Sequence, residues 1–259
     1  MLLKDIKTKQ FFLLPASNGY LTGQKLSSNE VRLISDHDIF NIYLHPNTNI
    51  TNINASIEQD YYQKLSLYNY FIITATSIQT HTDKTLNISQ NTIELARIVW
   101  LFIERFPNYF WHIPATSSGK NHNIHAQRQN GLVYHTKATI YVCKELITTY
   151  NAFDRAYELL MAALLHDSVK YGSEFDVVKF PMHPFLPEEH FKSLSYITGY
   201  TTIIDLIKRH MGCISKGSWT EQTGRMTLKP ETTEEIILHT ADYIASRKRV
   251  FINVDRGDA

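Results

Sequence analysis

The chain has 259 residues, 43% of them apolar, with 26 Lys+Arg against 25 Asp+Glu and a formal net charge of +1. Disordered, collagen-like and supercharged classes are excluded, leaving one large domain, or a medium domain with a smaller companion, and enough chain for a substantial core. Near-neutral charge argues against a generic nucleic-acid coat, so any anion site must be local. The two cysteines, Cys143 and Cys213, supply neither a disulfide framework nor a four-thiolate zinc site. Reduced cytosolic thiols are expected, with Cys143 as core filling. The apolar run FFLLPA over residues 11–16 is shorter than a signal peptide needs, and no run approaches the length of a membrane span. A cytoplasmic protein without a membrane segment is expected.

Residues 1–88 are rich in Asn, Thr, Ser and Tyr, with short apolar runs FFLL, DIFNIYL and LYNYFIITATSI between turn-prone clusters. This pattern predicts a small strand-rich N-terminal region. The composition changes at NISQNTIELARIVWLFIERF, where Ser89 can cap a helix and Ile93, Ala96, Ile98, Val99 and Phe102 supply a broad apolar face. A boundary near residues 85–90 follows, with a helical domain over 89–259. From residue 130 onward the helical period runs through GLVYHTKATIYVCKELI, RAYELLMAALLHDSVK, TTIIDLIKRHMG and TTEEIILHTADYIASRKR. Two loops interrupt it, KFPMHPFLPEEH and SKGSWTEQTGRMTLKP. The second ends just before Thr232 and Glu235 in capping-box spacing.

There are twelve histidines, and a His-Asp dipeptide alone is weak evidence. His37-Asp38 lies in the polar segment ISDHDIF and reads as ordinary surface. His166-Asp167 ends the apolar helix ELLMAALLHDSVK, which would carry both polar groups toward the interior. Burying them without partners would cost on the order of 2 kcal/mol or more each. A divalent ion would supply the partner, since neutral imidazole and carboxylate are both suitable ligands. The alternative is a helix-end His bonded to a carbonyl, with Asp167 capping the next turn. His135, His210 and Asp242 are likewise polar residues on apolar helices. Each alone reads as a satisfied buried group, but four helices each delivering one favour a common site.

The order His135, His166-Asp167, His183, His210, Asp242 resembles the HD superfamily of metal-dependent phosphohydrolases over roughly residues 105–250. Supporting text is PATSSGKNHNIHAQRQNGLVYHT before the first histidine, LLHDSVKYG at the second and KPETTEEIILHTADYIASRK at the last. The flavour is similar to HD-domain 3′→5′ exoribonucleases and relaxase-associated HD modules, which share a Pro-Ala segment, histidines and a Gly-Leu ahead of the first ligand. The resemblance implies a mostly α, helical-bundle fold over about residues 90–250. It also implies an ion held by His135, His166, Asp167 and Asp242. His183 and His210 stand where some branches add ligands for a second ion, although Met211 follows His210 where such branches often have a further histidine. Mn, Fe, Ni, Co or Zn would suit these ligands.

The implied activity is hydrolysis of a phosphoester in a nucleotide, a cyclic nucleotide or a single-stranded nucleic acid end through metal-bound hydroxide. Asp167 would bridge ions or orient the nucleophile. Lys170, in the place of the family's His-Asp-x-x-Lys lysine, would neutralise phosphate, its plain alternative being a solvated helix end. A non-catalytic metal-containing module that binds nucleotide or nucleic acid is the rival reading. Between Glu104 and Glu145 there is no acidic residue, while Arg105, Lys120, Arg128, Lys137 and Lys144 all occur, with His112, His122 and His125. This is an anion-receiving segment, and His122 and Arg128 are its candidate substrate-binding residues. Trp100 and Trp111 read as core and Trp219 as a loop residue able to stack on a base. His239 reads as core or carbonyl-bonded, and the run Arg247, Lys248, Arg249 as a charged helix end able to track a nucleic-acid backbone.

Overall fold

The structure is a computed structural model that describes residues 2–4, 11–13, 55–80, 92–116, 122–176, 182–212 and 227–254. It is mostly helical: α1 (Ala55–Thr80), α2 (Thr92–Ile103), α3 (Gly131–Thr149), α4 (Ala156–Leu165), α5 (Leu186–His190), α6 (Tyr200–Arg209) and α7 (Thr233–Ala245). Among the described residues the strands are β1 (Leu2–Lys4) and β2 (Phe11–Leu13), paired antiparallel with Leu3 opposite Phe12.

The expectation of a strand-rich N-terminal region does not stand. LYNYFIITATSI lies within the 26-residue helix α1, DIFNIYL lies outside the described residues, and only the FFLL run coincides with a strand. The reason is visible in the burial pattern. Leu67, Phe71, Thr74, Ala75 and Ile78 are buried, a spacing of three and four that serves a helix, whereas alternation would have buried every second residue. The β-branched residues that suggested a strand are accommodated. Thr74 and Thr76 donate their hydroxyls to the carbonyls of Tyr70 and Ile72, both at 2.8 Å, and tertiary burial outweighs their weak helix propensity.

α3 is the central element, packing against α1, α4 and α7, while α4 also packs on α6. Apolar residues of α1 and α2 share one core with those of α3, α4, α6 and α7. α4 is the most enclosed. Leu159 through Leu165 are all fully buried, as expected of a helix apolar on every side. Whatever follows Leu165 is therefore delivered into the interior. The capping box at α7 forms as the spacing predicts, with Glu235 N–H donating to Thr232 Oγ1 at 3.2 Å and Thr232 N–H donating to Glu235 Oε2 at 3.1 Å. KFPMHPFLPEEH is not a plain loop, because α5 forms its second half. Ser89, His37-Asp38, Lys120, Cys213 and Trp219 lie outside the described residues.

The start of α3 depends on a glycine. A Cβ on Gly131 would lie 2.1 Å from the Ala126 carbonyl oxygen and 3.1 Å from Pro114 Cα, and neither backbone atom can rotate away. The same Ala126 carbonyl accepts from Ala115 N–H at 2.8 Å, closing the loop that carries His122 against the helix that carries His135. Gly131→Ala is expected to destabilise by roughly 1–3 kcal/mol through overpacking, lowering the melting temperature by roughly 5 °C in a thermal melt.

Candidate metal centre

Two helices end at one point. His166 is the C-terminal cap of α4 and His210 that of α6, both in helical conformation. The last carbonyls of a helix lack intrahelical donors, and each histidine uses this locally. His166 Nδ1–H donates to the Ala163 carbonyl at 2.8 Å and His210 Nδ1–H to the Ile207 carbonyl at 2.6 Å. A carbonyl only accepts, so both rings carry the proton on Nδ1 and turn the Nε2 lone pair outward beyond the helix end. The negative ends of two helix dipoles meet there, which favours a cation.

The other donors converge on the same place. His166 Nε2 lies 3.2 Å from His135 Nε2, and His135 Nε2 lies 3.0 Å from Asp242 Oδ1. His183 Nε2 lies 3.2 Å from His210 Nε2 and 3.3 Å from Asp167 Oδ1. Asp167 Oδ2 faces the opposite pair, 3.7 Å from both His135 Nε2 and His166 Nε2. The residues thus form two groups able to hold a metal ion, His135/His166/Asp167 and Asp167/His183/His210, every one buried and Asp167 common to both.

The contacts at 3.0–3.3 Å are compatible with coordination as well as with hydrogen bonding. Two donors about 2.1 Å from one ion at octahedral or tetrahedral angles lie roughly 3.0–3.4 Å apart, close to the spacings above. Without a cation the inward Nε2 lone pairs of His166 and His210 would each face another imidazole nitrogen in a buried site. His135 Nδ1 is itself buried with no hydrogen-bond partner, so this ring lacks the carbonyl anchor of the other two.

Electrostatics follow from burial and charge. Burial lowers the His166 pKa from 6.5 to about 4, and burial also lowers that of His210, so both rings are neutral, as ligands must be. Burial pushes the Asp167 carboxyl up, but Lys170 and then the surrounding histidines outweigh it and hold the group well below the ordinary carboxylate range. Burial pushes Asp242 up likewise, and the His135 hydrogen bond together with the charges of His135, His166 and His210 outweighs it and lowers the group.

Lys170 is not a solvated helix end. Its side chain is 7% exposed and its Nζ lies 2.6 Å from Asp167 Oδ2, so it orients and compensates the shared carboxylate. His122 lies edge-on to His135 with ring centroids 5.0 Å apart. Burial, followed by the charge effect of His135, lowers its pKa to about 3. It therefore stands at the centre as a neutral ring. Arg128 is exposed and no contact with the centre is observed.

The rest of the positive segment disperses. Arg105 Nη1 donates to the Leu101 carbonyl at 2.7 Å, Lys137 is buried with Nζ donating to Ser66 Oγ at 2.8 Å, and Lys144 lies 3.4 Å from Glu145. Trp100 and Trp111 fill the core, as does Cys143. His239 Nδ1–H donates to the His210 carbonyl at 2.8 Å, tying α7 to the end of α6. Two supports were not legible in the sequence. The Tyr109 hydroxyl donates to the Gly172 carbonyl at 2.7 Å and accepts from Tyr171 N–H at 3.0 Å, bracing the turn after Asp167. Buried Asn123 anchors the loop beside His122. A histidine three residues after a helix's last-turn carbonyl, seen twice, is a local signal that could have marked the two caps in advance.

No protein-family model matches the chain, and neither curated proteins nor solved structures give a match. No helix among the described residues is long and apolar enough to cross a membrane.

Proposed function

We propose that this chain is a metal-dependent phosphohydrolase that cleaves a phosphoester in a nucleotide, a cyclic nucleotide or a single-stranded nucleic acid end, in the manner of the HD superfamily its histidine and aspartate order resembles. The observation that carries the reading is Asp167. Its Oδ1 lies 3.3 Å from His183 and its Oδ2 3.7 Å from both His135 and His166, so it would belong to both groups able to hold an ion. His135, His166, Asp167 and Asp242 would hold the first ion, and His183, His210 and Asp167 the second. Divalent ions in such a place lower the pKa of bound water and neutralise phosphoryl oxygens.

The protein's own groups do the rest. His166 and His210 are locked in one tautomer by backbone carbonyls, so their lone pairs need no reorganisation. Lys170 holds Asp167 in orientation and adds positive charge where an anionic phosphate must approach. His122, neutral and pressed against His135, can donate one hydrogen bond to a phosphoryl oxygen without charge repulsion from the centre. Arg128, exposed on the same loop, can reach phosphate from the solvent side.

The test is turnover of protein loaded in turn with Mn, Fe, Ni, Co or Zn against a panel of nucleotides, cyclic nucleotides and short oligonucleotides. Hydrolysis of at least one member is expected, lost on chelation and restored by the metal. Metal-loaded protein that binds nucleotide yet hydrolyses nothing would favour the non-catalytic binding module. Protein that takes up no metal would overturn the reading altogether.

A further inference from the structure

We infer that the exposed ring of Phe251, backed by His125, forms a stacking site for a nucleobase of the substrate, beside the metal centre. The inference rests on the phosphohydrolase reading for the phosphate and adds recognition of the base. Phe251 is 60% exposed and Ile124 58% exposed, so two large apolar side chains face solvent on this side of the molecule. The Phe251 ring lies 4.9 Å from that of His125, which in turn stacks on Tyr134 at 5.5 Å and 28°.

The exposed ring is held in place rather than left loose. Asn123 is 4% exposed. Its Oδ1 accepts from His125 N–H at 3.0 Å and its Nδ2 donates to the Val250 carbonyl at 3.1 Å. The Tyr134 hydroxyl donates to the Ile252 carbonyl at 2.8 Å and accepts from Ile252 N–H at 3.3 Å. The residues on both sides of Phe251 are therefore tied to the loop and to α3, and the ring between them points out. A rigid aromatic surface costs little ordering entropy on binding.

Position and charge commit the site to a base. The loop bearing His125 also bears His122, whose ring touches that of His135. Three residues of chain span at most about 10 Å, so a ring stacked on Phe251, in contact with His125, lies within a nucleotide or two of a phosphate at the centre. Arg128 is exposed three residues further on. Just past the C-terminal end of α7, the Arg247 guanidinium lies over the ring of Tyr243, which follows Asp242 in the helix, at 3.8 Å. Aromatic faces interleaved with arginines suit flat bases joined by phosphates, and stacking tolerates any base.

The experiment uses the metal-loaded full chain and two single-stranded phosphorothioate oligonucleotides of equal length, one carrying 2-aminopurine near its end and one abasic there. Wild type is expected to bind the base-bearing strand about tenfold more tightly and to quench its fluorescence. Phe251→Ala should abolish both the difference and the quenching, and Phe251→Trp should retain them, with metal content and abasic binding unchanged throughout. Equal binding of the two strands by wild type, or base-bearing binding undiminished in Phe251→Ala, overturns the stacking site while leaving phosphoester hydrolysis standing. A wild type that neither hydrolyses nor binds any phosphate ester overturns the underlying reading, and the stacking site with it.

Discussion

If the chain is the metal-dependent phosphohydrolase we propose, Asp167→Ala is expected to empty the centre, reducing bound metal to well below one ion per chain and phosphoester turnover by about a thousandfold. The effect should exceed that of any single histidine, because Asp167 alone belongs to both ligand groups. His183→Ala or His210→Ala removes a ligand from one group only, so about one ion should remain on the other. Elemental analysis beside a turnover assay reads both quantities. Part of any loss could be folding, since Asp167 lies 2.6 Å from the buried Lys170 ammonium and breaking a buried pair costs about 3–5 kcal/mol. Asp167→Ala combined with Lys170→Met separates the two effects: stability should recover substantially, and metal binding should not. Equal metal content in wild type and Asp167→Ala would sink the proposal.

Acid should unfold the metal-free protein well before it protonates the aspartates. An unfolded histidine titrates near 6.5, whereas burial holds His166 at about 4. Between those values the unfolded chain binds more protons, so stability rises with pH. The contribution is complete above about 6.5 and lost as pH falls toward 4, amounting to about 3 kcal/mol for His166. His122, at about 3, acts in the same direction. Asp167 and Asp242 are depressed carboxylates; their stabilisation is present above the ordinary carboxylate pKa and is lost only as pH falls below it. A melting series on chelated protein from pH 7.5 to 4.5 should show a drop of roughly 10 °C. Bound metal should leave in the same interval, because protons and ions compete for the same nitrogens. A flat profile would mean that the folded protein accommodates protonated imidazoles at the centre, contrary to the geometry.

How legible the chain was differs by element. The helices α3, α6 and α7 were visible because each follows one period and carries local stop or start signals, such as the Thr232–Glu235 capping box. α1 was misread. Its Thr- and Ile-rich middle has the composition of a strand, and only the positions buried by α3 and its other neighbours reveal a helical face. Lys137 finds its partner, Ser66, 71 residues away in the chain, which no local pattern contains; Lys170 has Asp167 three residues before it, and there it is the burial of the pair, not its spacing, that the sequence leaves open.

Residue order and polarity by themselves determined that several imidazoles and carboxylates sit on apolar helices, where each needs a partner. That is a local free-energy statement about burying polar groups, and it holds whatever the packing. Apart from the local carbonyls three residues back and the Asp167–Lys170 pair, which atoms would serve as partners was decided by the tertiary structure. The junction of the α4 and α6 ends brought the two Nε2 atoms, each already turned outward by a local carbonyl, to one place, and the depth of α4 placed Asp167 between two histidine pairs. It likewise turned Lys170 inward and set Phe251 facing outward against His125. Directions in space arise from contacts between segments distant in the chain, and a one-dimensional pattern does not contain them.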